Sequence, residues 1–207
     1  MTKRRIGIYG GSFDPIHLGH LLLAETCREQ LRLDEVRLIP AHVSPFKTDQ
    51  YPSDDKQRLE MLQLAVTGQD SFVVDPREVD RGGISYTVDT LRELHHEFPD
   101  SEWFLLMGAD SLIDFLKWKE PAEIGRLAWI IVVGRGGYAD IGWNVLEGLL
   151  DRERFEQTRA MNIEMPLIEL SSTELRQRAA TGRSLRFRMP RAVEQYIHAN
   201  QLYRPQS

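Results

Sequence analysis

The chain has 207 residues, 42% of them apolar and 28% charged, with a formal net charge of −5. That length is enough to bury a core without staples, and one domain spanning residues 1–207 is the expectation. The acidic balance argues against a general nucleic-acid binder, which carries a basic surface, but it leaves room for a small anionic ligand. Residues 6–9 form a short apolar run that stops at Gly10-Gly11, the pattern of a buried strand ending in a turn. A helix is expected over 17–31, with Leu18, Leu21, Leu22, Ala24 and Leu31 on its apolar face. Its Cys27 is the single cysteine. Alone it makes neither an intramolecular disulfide nor a zinc site, and it fits a reducing cytoplasm. A strand at 36–39 ends at Pro40, and a helix follows over 54–66 with Leu59, Leu62, Ala65 and Val66 inward. Next come a strand at 72–74, a helix over 87–98 and strands at 103–107 and 128–133 that stop at Gly108 and Gly134. The remainder carries a helix near 145–155, a short strand at 167–170, and helices near 173–180 and 191–199.

Strands with no polar face, alternating with helices, are the mark of a parallel sheet with helical crossovers. The expected fold is α/β, a Rossmann-like doubly wound parallel sheet with helices on both faces and a C-terminal helical portion. Ligands of such sheets bind at the C-terminal edge of the strands. The polar, turn-rich loops at 44–53 and 79–85 are expected to be mobile and near that edge. No apolar run approaches ~18 residues, and the N-terminal apolar run is too short for a signal segment, so no membrane span is expected.

The segment Gly10-Gly11-Ser12-Phe13-Asp14-Pro15-Ile16-His17-Leu18-Gly19-His20 joins the first strand to the first helix. Two glycines let the backbone approach a ligand. The N–H groups opening the helix can hold phosphate oxygens. His17 and His20, three apart, share a helix face and can aim ring donors at one anion, with Gly19 leaving room. The alternative is a plain strand–turn–helix junction. A zinc pair lacks a nearby carboxylate or cysteine to complete a set. The motif resembles the H-x-G-H signature of the nucleotidyltransferase superfamily. The resemblance implies that His17 and His20 contact ATP phosphates and stabilise the charge that develops on transfer. Ser12 stands where the family often has threonine, and its hydroxyl can still donate.

A second segment, Leu170-Ser171-Ser172-Thr173-Glu174-Leu175-Arg176, reads as a capping box between Ser171 and Glu174 opening a helix. Arg176 in the first turns opposes the helix macrodipole, and a bound anion would reverse that cost. Ser172 and Thr173 add hydroxyls at the same end. A capped helix with a solvated arginine is the alternative. This segment is similar to the I-S-S-T-x-(I/V)-R signature that pairs with H-x-G-H, with Leu170 for the usual isoleucine. The resemblance implies a grip on the β- and γ-phosphates of ATP.

Between the two lie less general stretches. Lys47 is either a phosphate-neutralising residue or a solvated loop lysine. Arg58 reads as a surface or structural ion pair rather than a ligand. Ser85 and Thr87 suit helix capping. Asp110 is an N-cap or a ribose ligand, and Trp118 is core or a stacking platform. Together the S-Y-T-x-D-T-L pattern at 85–91, the G-A-D-S pattern at 108–111 and the following Trp118 resemble the bacterial nicotinate-nucleotide adenylyltransferase family, from residue 6 to about residue 197. The resemblance implies that Trp118 stacks on the pyridine ring. It implies that Thr87, with a backbone N–H near Trp118-Lys119, holds the nicotinate carboxylate, with Ser85, Tyr86 and Lys47 also on the acceptor side. Gly108, Asp110 and Arg135 would border the ATP site with Gly10, Gly11, Ser12 and Phe13.

The expected reaction is attack of the acceptor phosphate of nicotinate mononucleotide on the α-phosphorus of ATP, without a covalent intermediate. Mg²⁺ is expected to arrive with ATP, on water and phosphate ligands, with no direct protein ligation. Nicotinamide mononucleotide and pantetheine phosphate are alternative acceptors, and a non-catalytic nucleotide sensor is an alternative class. A homo-oligomer is left open, and nucleic acid and membrane are not expected partners.

Overall fold

The computed structural model describes residues 3–46, 53–135 and 142–204. Six parallel strands lie in the order β3-β2-β1-β4-β5-β6. They are β1 (Arg4–Gly11), β2 (Glu35–Pro40), β3 (Phe72–Val74), β4 (Ser101–Gly108), β5 (Trp129–Arg135) and β6 (Ile163–Met165). The helices among the described residues are α1 (Leu18–Gln30), α2 (Asp55–Val66), α3 (Arg77–Arg81), α4 (Thr87–Glu97), α5 (Ala109–Ile113), α6 (Pro121–Leu127), α7 (Asn144–Glu147), α8 (Arg152–Ala160), α9 (Ser172–Ala180) and α10 (Arg191–Ala199). None is long and apolar enough to cross a membrane.

The central strands bury both faces, which is why they read as unbroken apolar runs. On one face Phe104, Leu106, Ile131 and Val133 pack against Leu23, Ala24 and Cys27 of α1 and Met61 and Leu62 of α2. The C-terminal helices join this layer through Leu175, Val193 and Ile197. On the other face Trp103, Leu105, Met107, Ile130 and Val132 pack against Val88, Leu91 and Leu94 of α4 and Ile124 of α6. The doubly wound arrangement expected from the sequence is therefore present.

Several local expectations need correction. The last strand is β6, with Ile163 paired to Val133, and residues 167–170 are irregular. Ile163 and Met165 are buried about an exposed Glu164, a period-two pattern, and Pro166 cannot donate to the ladder. The helix near 145–155 is two helices: α7 ends at Gly148, and Asp151 caps α8 by accepting from the Arg154 N–H at 2.9 Å. The loop expected at 79–85 begins inside α3, whose Glu78 is buried. In α1 the apolar face is turned by one residue: Leu23 is buried while Leu22 is 45% exposed. In α2 Met61 and Leu62 are buried, while Leu59, Ala65 and Val66 are half-buried.

The chain end is stitched to the turn after β1. Tyr203 Oη donates to Asp14 Oδ1 at 2.6 Å, and the Ser53 N–H donates to Asp14 Oδ2 at 3.1 Å. Burial and the nearby Asp14 charge raise the Tyr203 pKa, so the phenol keeps its proton and stays a donor. Tyr203→Phe leaves one oxygen of a buried carboxylate without its donor, and should cost about 1–3 kcal/mol in urea unfolding. An unchanged midpoint would show that the contact contributes nothing.

Candidate active site

In a parallel sheet a crevice opens where the crossovers of adjacent strands leave toward opposite faces. Here those strands are β1 and β4, paired through Ile8 and Leu105. Their C-terminal ends carry Gly10 and Gly108. A Cβ at either position would meet nothing within 4 Å, so both backbones border open space. That space is a cleft of about 600 Å³. It is lined from β1 and its turn by Gly10, Gly11, Ser12 and Phe13, from the start of α1 by His17 and His20, and from the start of α9 by Ser171, Ser172, Thr173 and Arg176. The other wall holds Ser85, Tyr86, Thr87, Gly108, Asp110, Trp118 and Lys119. Arg135 is the last residue of β5, and Lys47 lies outside the described residues.

His17 is the N-cap of α1 and is 5% exposed. Its ring stacks on His20 with centroids 3.7 Å apart. The His17 N–H donates to His20 Nδ1 at 3.3 Å, which places the proton of a neutral His20 on Nε2 and makes that nitrogen a donor. His17 Nδ1 is buried without a hydrogen-bond partner. Phe13, with a left-handed φ of 46°, sets its ring edge-on to His20 at 5.2 Å. Gly11 lies close beneath that ring, which a Cβ there would meet at 3.2 Å, so a larger residue would push on Phe13. Gly19 lines the cleft and also lies close to the His17 ring, which a Cβ there would meet at 3.1 Å.

Two expectations about helix donors change. The Leu18 N–H, first in α1, donates to the Arg188 carbonyl at 2.9 Å, so this end of the helix is partly committed. Ser172 Oγ donates to the Pro15 carbonyl at 2.9 Å, spending its proton on the turn. Arg176 Nη1 donates to the Asp14 carbonyl at 2.7 Å, and Nη2 to Thr173 Oγ1 at 3.3 Å. Arg176 is thus half-buried and held at the cleft wall by these bonds. Ser171 Oγ accepts from the Glu174 N–H at 3.1 Å, one half of the expected box, while the Glu174 carboxylate lies 3.7 Å from Arg178.

At the other wall Tyr86 is the N-cap of α4, and no side chain caps that helix. Ser85 and Thr87 are therefore not caps. Ser85 Oγ accepts from the His42 N–H at 2.9 Å and its own N–H donates to the Val43 carbonyl, so this buried residue ties two loops together at the cleft wall. Asp110 lies in the first turn of α5, whose N-cap is Gly108, so Asp110 is not a cap. Trp118 is half-buried, between Phe115 at 5.3 Å and Phe46 at 6.3 Å. Lys119 Nζ pairs with Asp89 at 2.9 Å and lies 4.7 Å over the Tyr86 ring, so its charge is already matched.

Glu78 went unnoticed in the sequence. It is buried at the cleft, accepts from Thr90 Oγ1 at 2.6 Å, and its pKa is raised by burial. No signal marked it, because the short α3 has too few residues to show a period. Among the described residues no group of three or more His, Cys, Asp or Glu side chains is placed to hold a metal ion.

Burial lowers the pKa of His17 from 6.5 to about 4. The folded value lies below the unfolded one, so between these limits the unfolded chain binds the extra proton. Stability is intact above pH 6.5 and falls as pH drops toward 4, by about 2 kcal/mol from pH 7.5 to pH 5. In phosphate-free buffer His17→Gln should remove that part of the pH dependence of urea unfolding. An unaltered dependence would mean that His17 is protonated in the folded chain.

A cytidylyltransferase-like family model matches residues 8–178. A protein of Rhodopirellula baltica named probable nicotinate-nucleotide adenylyltransferase is 44% identical over 203 residues, 98% of this chain and 95% of its own. One of the same name from Thermus thermophilus is 44% identical over 200 residues, 97% of this chain and 100% of its own. Among solved structures, Plasmodium falciparum nicotinic acid mononucleotide adenylyltransferase complexed with NaAD superposes with a TM-score of 0.73 at 18% identity, covering 97% of each chain. That likeness speaks to the fold, while the sequence identity, sustained over whole chains, makes this protein a member of the nicotinate-nucleotide adenylyltransferase family within the cytidylyltransferase-like proteins.

Proposed function

We propose that this protein transfers the adenylyl group of ATP to nicotinate mononucleotide, giving deamido-NAD and pyrophosphate. The observation that carries the reading is one cleft with two chemically different ends. His17, His20 and Arg176 gather at one end, and Tyr86, Thr87 and Trp118 at the other.

The acceptor phosphate is a monoester with a second pKa of about 6, so it is already ionised at neutral pH and needs no general base. The barrier is the approach of two polyanions, which positioning and charge neutralisation lower. His20 Nε2–H and the Arg176 guanidinium supply donors to the phosphates. Burial keeps His17 neutral at neutral pH, and an anion beside it favours the protonated ring. Ser171 and Thr173 line the same end, at the start of α9. Mg²⁺ bound to the ATP phosphates would supply further charge neutralisation there. Asp110 is assigned to the ribose hydroxyls or to water on that ion.

At the acceptor end, Trp118 offers an aromatic face to the pyridine ring. The uncapped start of α4 beside Thr87 suits a carboxylate, because a helix N-terminus favours negative charge. A carboxamide lacks that charge, which favours nicotinate over nicotinamide. The lone buried Cys27 fits a reducing cytoplasm.

Pyrophosphate release with Mg²⁺ and ATP should be fastest with nicotinate mononucleotide, compared with nicotinamide mononucleotide and phosphopantetheine. Preference for another acceptor would discard the roles of Thr87 and Trp118. ATP binding without any turnover would favour a nucleotide sensor. His20→Ala should lower kcat at least ~100-fold in a folded protein; near-normal turnover would remove His20 from the phosphate site. Trp118→Ala should raise the KM for the acceptor more than that for ATP, and an equal rise in both would refute ring stacking.

A further inference from the structure

Arg58 is the most enclosed charged side chain among the described residues, at 0% exposure, and it does not line the cleft. Its guanidinium Nη1 donates to the Ser12 carbonyl at 2.7 Å, Nη2 to the Ala41 carbonyl at 2.7 Å, and Nε to the Ser53 carbonyl at 3.3 Å. Nη2 also bonds the Asp55 carboxylate. Asp55 in turn pairs with His42 Nδ1 at 2.5 Å.

These partners belong to different parts of the site. Ser12 lies in the turn after β1, at the phosphate end. Ala41 follows β2 and opens the segment that carries Ser44, Pro45 and Phe46 to the cleft, with Phe46 beside Trp118. The two strands are in register up to Gly11 and Pro40, and the Ala41 N–H donates to the Gly11 carbonyl at 2.9 Å. Beyond that bond one planar guanidinium bridges the two segments. Its fork of fixed donors sets the separation of the carbonyls it holds, which a flexible ammonium cannot do. Packing alone does not explain the choice, because a buried cation is costly unless each donor is matched, and a methionine fills similar space.

We propose that Arg58 is a positioning residue, which fixes the distance between the phosphate turn and the acceptor segment and so aligns the acceptor phosphate with the α-phosphorus. The proposal rests on the adenylyl-transfer reading. Misalignment on the order of 1 Å costs about 100-fold in rate, while each substrate keeps its own contacts. The signature is a loss in kcat with little change in either KM.

The test compares wild type with Arg58→Lys, Arg58→Ala and Asp55→Asn. It measures kcat, both KM values and the thermal unfolding midpoint with nicotinate mononucleotide and Mg²⁺-ATP. Arg58→Lys should lower kcat by about 10- to 100-fold, with each KM within about threefold, in protein that is folded at the assay temperature. Millimolar guanidinium should restore part of the kcat of Arg58→Ala. Asp55→Asn leaves the arginine in place but loosens its fork, so it should move kcat in the same direction by less. It carries the test if the Arg58 variants do not fold. A rise in KM at constant kcat, or a kcat that falls only with the folded fraction, overturns the proposal, as does an unchanged kcat in folded Arg58→Lys or, where the Arg58 variants do not fold, in Asp55→Asn. Wild-type enzyme without turnover would instead refute the reaction, so the two failures are distinguishable.

Discussion

The turn at residues 12–15 leaves the sheet and cannot satisfy its own polar groups, and much of the molecule is arranged to do so. Arg58 reaches the Ser12 carbonyl, Arg176 the Asp14 carbonyl and Ser172 the Pro15 carbonyl. Ser53 and Tyr203 both donate to the Asp14 carboxylate. Donors from α2 and the residues before it, from α9 and from Tyr203 thus converge on Ser12, Asp14 and Pro15. A buried polar group without a partner costs about as much as a lost hydrogen bond, so each tether both stabilises the fold and holds the site. The C-terminal helices are not an appendage, since they supply part of this support.

The same economy runs through the cleft. At the start of α1 the histidines are pre-set: His17 stacks on His20, Phe13 braces His20 edge-on, and a backbone N–H orients its ring. Little side-chain reordering then accompanies the arrival of an anion, and preorganised donors are those that lower a barrier. At the other end several polar side chains are committed to protein. Lys119 is matched by Asp89, and Ser85 holds the loop at His42 and Val43. What remains for a ligand is chiefly the aromatic wall and the uncapped start of α4, a surface suited to a flat, negatively charged ring.

Much of the fold was legible because its signals are local. Strands β1, β2, β4 and β5 read as apolar runs ended by glycine or proline, and α4 and α10 carry a clean helical period. The errors fell where tertiary packing outweighs local pattern. Residues 167–170 have strand-like composition but pair with no strand, whereas the three residues of β6 pair with β5. Leu22 looked like a core position, yet α1 packs on the sheet through Leu23, Ala24 and Cys27 and leaves Leu22 outward. Arg58 read as a surface or structural ion pair; the pair with Asp55 is there, but nothing local to α2 announces three carbonyls waiting for the arginine.

The sequence by itself determined the doubly wound order of elements and carried the His17–His20 pair, the helix-opening segment from Ser171 to Arg176 and the aromatic Trp118. These depend on residue identity at short spacings, which the chain carries wherever it goes. Only the tertiary structure decided which donors stay available. It turned the Leu18 amide, the Ser172 proton and the Lys119 charge toward protein partners, and it buried Arg58 beneath both ends of the cleft. The physical reason is that a hydrogen-bond donor serves whichever acceptor the fold brings within about 3 Å, and that acceptor can lie 150 residues away in the chain.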